Sequence, residues 1–182
     1  MPVNPDRDTV ELPILVPPAG PGPIEFAGHV LAALELARAG DRHAARAGLT
    51  ALWRDYGPGV SVALPRALLA HHLAGLHEDP GENLRWNQRA LQAATWASDS
   101  DLADWGLPIP ARALFPLLHL RLARAHHRAG HLTASREHLH QARTWAPALP
   151  RDAYGERVRS ELNQLSDHLN GYTPPSGTHR AR

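Results

Sequence analysis

Residues 116–149, PLLHLRLARAHHRAGHLTASREHLHQARTWAPAL, decide the fold. In the first half, Leu118, Leu122 and Ala125 recur three or four positions apart, which puts them on one face of a helix. Gly130-His131 interrupts the pattern, and glycine is the residue that most readily ends a helix in a left-handed turn. Leu132, Leu139, Ala142 and Trp145 then form a second stripe, and Pro147 closes it. Two helices joined by so short a turn must fold back on each other as an antiparallel pair.

Similar stripes run outward in both directions. Phe26, Val30, Leu31, Leu34 and Ala37 predict a helix ended by Gly40-Asp41; Ala45, Leu49 and Leu52 predict its partner, stopped at Tyr56-Gly57-Pro58. Leu64, Leu68, Leu69, Leu73 and Leu76 follow, closed by Asp79-Pro80, and then Leu84, Leu91 and Ala94 with Trp86 and Trp96 alongside. The segment 98–112 breaks the pattern with two prolines and a lone Trp105. Beyond the decisive pair, Tyr154, Val158, Leu162, Leu165 and Leu169 mark a last helix. No useful stretch alternates with period two, so the expectation is an all-α fold. It takes the form of a short α-α solenoid: three antiparallel hairpins at about 26–57, 64–97 and 113–147, and a capping helix over 152–169.

Composition bounds the remaining possibilities. The chain has 182 residues, enough for one domain, here placed at 25–169. Residues 1–24 hold seven of the seventeen prolines and read as extended or disordered, with a short apolar patch, Leu12 to Val16, that could dock on the domain. The polar tail 170–182 reads as disordered. There is no cysteine, which excludes disulfides, iron–sulfur clusters and thiol nucleophiles; all 19 basic residues are arginine, which excludes lysine Schiff bases and a P-loop. A net charge of +1 is not the balance of a nucleic-acid binder. No run of about 20 apolar residues spans a membrane, and the N-terminus has acids and prolines where a signal peptide needs a basic start, so a cytoplasmic protein is expected.

The hairpin at 116–149 resembles a tetratricopeptide repeat. It offers the large–small pair Leu122-Ala123, glycine at the turn, then Ser135, Leu139 and Ala142, and the terminal Pro147, over a 34-residue unit. Small residues sit where helices cross closely, so Ala123 and Ala142 should meet, with Leu122 and Leu139 buried beside them. The first hairpin keeps Gly40-Asp41, Ala45 and Leu49 but has Ala32-Ala33 and Leu52 where the family has other sizes; the second keeps only its turn and Ala90-Leu91. Together with 71–94, the third hairpin and its extension also resemble a small set of bacterial proteins with divergent repeats, a likeness that implies no activity.

The resemblance implies a protein-interaction module, not an enzyme, that holds a partner peptide in a concave groove. By position, the groove would be lined by Arg38, His72, Leu76, Arg124, His127 and Arg128, a set suited to an acidic segment because guanidinium grips carboxylate bidentately. His72 and His127 would gain charge as pH falls through about 6.5, tightening such binding. Trp105 is either a plug on the core or an exposed anchor for a partner.

The sequence also holds residues that suggest other chemistries. Thirteen histidines, among them His71, His72 and His77, His126, His127 and His131, and His138 and His140, invite a metal-binding protein or enzyme. Their spacing argues against one ligand set: Gly130 separates His127 from His131, and His138 and His140 lie on different faces. No metal or other cofactor is assigned. Gly59-Val60-Ser61-Val62-Ala63 brushes against the GxSxG nucleophile pattern, but in a linker between helices and without the strand that gives the motif meaning. A regulator that senses a small acidic ligand in the groove is the third alternative.

Overall fold

The computed structural model describes residues 21–171. Among them are eight α-helices and no strand: α1 Pro23–Arg38, α2 Arg42–Asp55, α3 Ala63–Leu76, α4 Pro80–Ala94, α5 Asp99–Asp104, α6 Phe115–Arg128, α7 Leu132–Trp145 and α8 Ala153–Gly171. The protein is all-α. Helices pack most extensively as consecutive pairs, α1 with α2, α3 with α4 and α6 with α7. Contacts of α2 with α3 and of α4 with α6 join the pairs, while α8 lies against α6 and α7.

The corners explain the pairing. At the end of α1, Gly40 takes φ +96°, a backbone that side-chain-bearing residues resist, and the end of α6 repeats this with Gly130 at +78°. Both corners carry the same hydrogen bonds. Asp41 N–H donates to Leu36 O and Gly40 N–H to Ala37 O; His131 N–H donates to His126 O and Gly130 N–H to His127 O. These bonds use carbonyls that the helix end would otherwise leave unpaired. Asp41 then caps α2, its carboxylate accepting from Ala44 N–H at 2.9 Å. The α3–α4 corner is built differently, with Asp79 capping α4 at the Glu82 N–H.

Two cores result. Phe26, Leu49, Leu69, Leu73, Trp86 and Ala90 are among those joining α1–α4, and Leu120, Ala123, Leu139, Ala142, Val158 and Leu162 are among those joining α6–α8. Ala123 and Ala142 are fully buried and Leu122 and Leu139 nearly so, while Ser135 donates its hydroxyl to Ala123 O across the pair at 2.8 Å.

Several expectations need correction. The helix begins at Pro23, inside the stretch read as extended, because proline at the first helical position already has the right φ. Residues 1–20 and 172–182, with the rest of both tails and the apolar patch Leu12 to Val16, lie outside the described residues; α8 runs on through Asn170 and Gly171. Segment 98–112 is not a plain break. Ser98 and Asp101 form a capping box that starts α5, and Leu102 is fully buried beside Leu64 and Ala111. Leu31 is 56% exposed, its place in the stripe taken by Ala33. On α4 the buried stripe is Asn83, Trp86, Asn87, Ala90 and Ala94, with Leu84 and Leu91 only flanking it.

The junction into α8 allows a prediction. Arg159 donates to Leu149 O at 2.9 Å and Pro150 O at 3.2 Å, and Gly155 N–H donates to Asp152. A Cβ at Gly155 would stand 1.9 Å from Pro150 O, a collision with backbone. Gly155→Ala should therefore destabilise by about 1–3 kcal/mol, as overpacking does. Thermal unfolding checks this; an unchanged midpoint would mean α8 does not dock through this corner.

Candidate functional site: an arginine-lined concavity

Helix α6 positions the site. At 100° per residue, Arg121, Arg124 and Arg128 fall within an arc of about 60°, while their neighbours Leu120, Leu122, Ala123 and Ala125 are buried. The arginine face looks into a cavity of about 700 Å³ that is also lined by Arg38 from α1, Arg42 from α2 and His71, His72 and Leu76 from α3. That volume falls within the roughly 300–1,000 Å³ of ordinary ligand pockets. Arg38, His72, Leu76, Arg124 and Arg128, five of the six groove residues read from the sequence, thus come together.

His127 does not line this cavity. It lies about 60° beyond Arg124 around α6 and turns to α8, where its Nε2 is 3.1 Å from His168 Nε2. Arg121, His71 and Arg42 were missed. The spacing of Arg121 to Arg124 and Arg128, three and seven positions, is the signal that could have found it.

Five guanidiniums face two carboxylates. Glu161 on α8 accepts from Arg124 at 2.6 Å and lies 3.7 Å from Arg121. Glu78 lies 3.6 Å from Arg42, which also donates to Gly75 O. Arg128 donates to Asn83 Oδ1 at 2.6 Å, and Asn83 in turn donates to Ala74 O at 2.6 Å near the end of α3. Asn87 completes the relay by donating to Asn83. These two buried asparagines tie α3, α4 and α6 into a fixed wall. Burial pushes the Arg121 pKa down, with Arg124 and Arg128 adding to the effect and Glu161 opposing it.

Burial disfavours the charged form of the histidines here. Burial first, then His72 and Arg121, push His71 down to about 3, and burial pushes His72 down as well. The charge gain expected of His72 is therefore moved below pH 6.5, because protonating it means charging a shielded ring. The consequence should appear in stability. A histidine held below its unfolded pKa of about 6.5 stabilises fully above that pH, and the contribution is lost as pH falls below it. His71 should make stability drop between pH 7 and 5, with a slope of at most about 1.4 kcal/mol per pH unit. His119, pushed down to about 4 by burial and by His138, acts in the same direction. Unfolding curves at both pH values check this, and His71→Phe should flatten the slope; a wild type equally stable at pH 7 and 5 would contradict it.

The other sequence candidates lie elsewhere. His119 and His138 bring Nδ1 atoms to 3.0 Å and His126 stacks on His138, but among the described residues no three potential ligands gather round one point. Ser61 sits in a 3₁₀ turn, Val60–Val62, that leads into α3 with no strand before it. Trp105 is half-buried, edge-on to Phe26 with ring centroids 4.9 Å apart, so it plugs the core and is not an exposed anchor. Among the described residues no helix is long and apolar enough to cross a membrane. No protein-family model matches this chain, and no curated protein or solved structure matches it either.

Proposed function

We propose that this chain is an interaction module that holds an acidic segment of a partner protein in the arginine-lined concavity. One observation carries the reading: five guanidiniums from three helices line one cavity, and only two carboxylates, Glu78 and Glu161, stand against them. Like charges held together in a partly shielded space repel, and an incoming anionic chain relieves that repulsion while forming charge-assisted hydrogen bonds worth about 1.5–3 kcal/mol each. Arginine binds and orients carboxylates but keeps its proton near neutral pH, which favours binding over catalysis. The two glycine corners with matching hydrogen bonds, 90 residues apart, support the reading of the hairpins as repeat-like units. So does the small-residue crossing at Ala123 and Ala142.

The test is calorimetric titration of the full chain with a hexaglutamate peptide. Binding should be measurable at low ionic strength and weaken steeply as salt screens the cavity. Absence of binding at low salt would overturn the proposal.

A further inference from the structure

We propose that the part of this concavity lined by His71, Arg121 and Arg124 is a seat for a phosphoryl group, for which the Glu161 carboxylate stands in when it is empty. The inference rests on the anion-binding reading above and names the anion. His71 lines the cavity, yet its Nδ1 is shut off from solvent without a hydrogen-bond partner. A buried polar nitrogen left unpaired costs stability, so its presence at a cavity wall calls for a partner that arrives with a ligand. Arg121 and Arg124 share one carboxylate, at 3.7 and 2.6 Å, which leaves donor capacity on both.

The chemistry selects phosphoryl over carboxylate. A carboxylate carries one charge and two oxygens, which Glu161 already supplies. A phosphoryl group brings a charge near −2 and three terminal oxygens. Two oxygens can take the forked donors of Arg121 and Arg124, and the third can accept from a neutral His71 imidazole, which adds a donor without adding repulsion. The source could be a phosphorylated side chain of the partner or a free phosphate.

Calorimetry on the full chain separates these cases with three probes: inorganic phosphate, an acidic hexapeptide containing phosphoserine, and the same peptide with glutamate in its place. The phosphopeptide should bind at least tenfold more tightly than its glutamate counterpart, and His71→Phe should cut that preference below threefold. Glu161→Gln, which removes the competing anion and leaves the apolar face of α8 untouched, should raise phosphoryl affinity several-fold. Inorganic phosphate binding as tightly as the phosphopeptide supports the seat and identifies the free anion as its source. Equal affinity for phosphoserine and glutamate peptides, or no gain in Glu161→Gln, overturns the seat and leaves the acidic-segment reading standing. If none of the probes binds, both readings fall.

Discussion

Leu120→Ala should destabilise the protein by about 2–5 kcal/mol, the range for truncating a large buried side chain that leaves a cavity. Leu120 is 0% exposed and belongs to the core formed with Ala123, Leu139, Ala142 and Leu162. Its helix, α6, is the one that meets α4 on one side and α7 and α8 on the other. Neighbours on separate helices cannot all close in on the void without shifting against one another, so little relaxation is expected. Chemical denaturation provides the measurement. A loss under 1 kcal/mol would mean that α6 is not the central strut its burial implies, and the arginine face it carries would lose its fixed position.

The second large effect is on binding. Changing Arg124 and Arg128 together to alanine should weaken hexaglutamate binding at least tenfold, about 1.4 kcal/mol. The two side chains stand one turn apart on α6, and each is held, Arg124 by Glu161 and Arg128 by Asn83. Prior ordering of this kind spares the ligand part of the entropy cost of binding. Helical content should persist, since the buried face of α6 is unaltered. A double variant that binds as tightly as the wild type would move the site away from this face.

Much of the architecture was legible, and the gaps have physical causes. The stripe Ala45, Leu49, Leu52 on α2 could be read directly because every inward residue is apolar and Asp41 marks the start. On α4 the same rule failed: Asn83 and Asn87 are inside, and what permits this is the carbonyl of Ala74 on another helix, invisible to a periodicity rule. Helix α5 was missed although Ser98 and Asp101 carry the spacing of a capping box, because six residues are too few for a stripe. At the site, five groove residues lie on one cavity because the packing of the helices turns one face each of α1, α3 and α6 toward it. His127 was included by its position in the repeat, although on α6 it turns about 60° past Arg124 toward His168 of α8. Arg121 was overlooked for the opposite reason, being a full two turns from Arg128 yet on its face.

The most direct test of the account is a map of where an acidic ligand touches the protein. Titrating isotope-labelled protein with hexaglutamate and following backbone amide shifts by NMR would supply it. Shifts should concentrate at the end of α1 around Arg38, along α3 and its turn from His71 to Glu78, and along α6 from Arg121 to Arg128. Shifts confined instead to the separate cleft lined by Trp53, Val60, Arg66, Arg89 and Trp96, where Trp96 is 62% exposed, would contradict it.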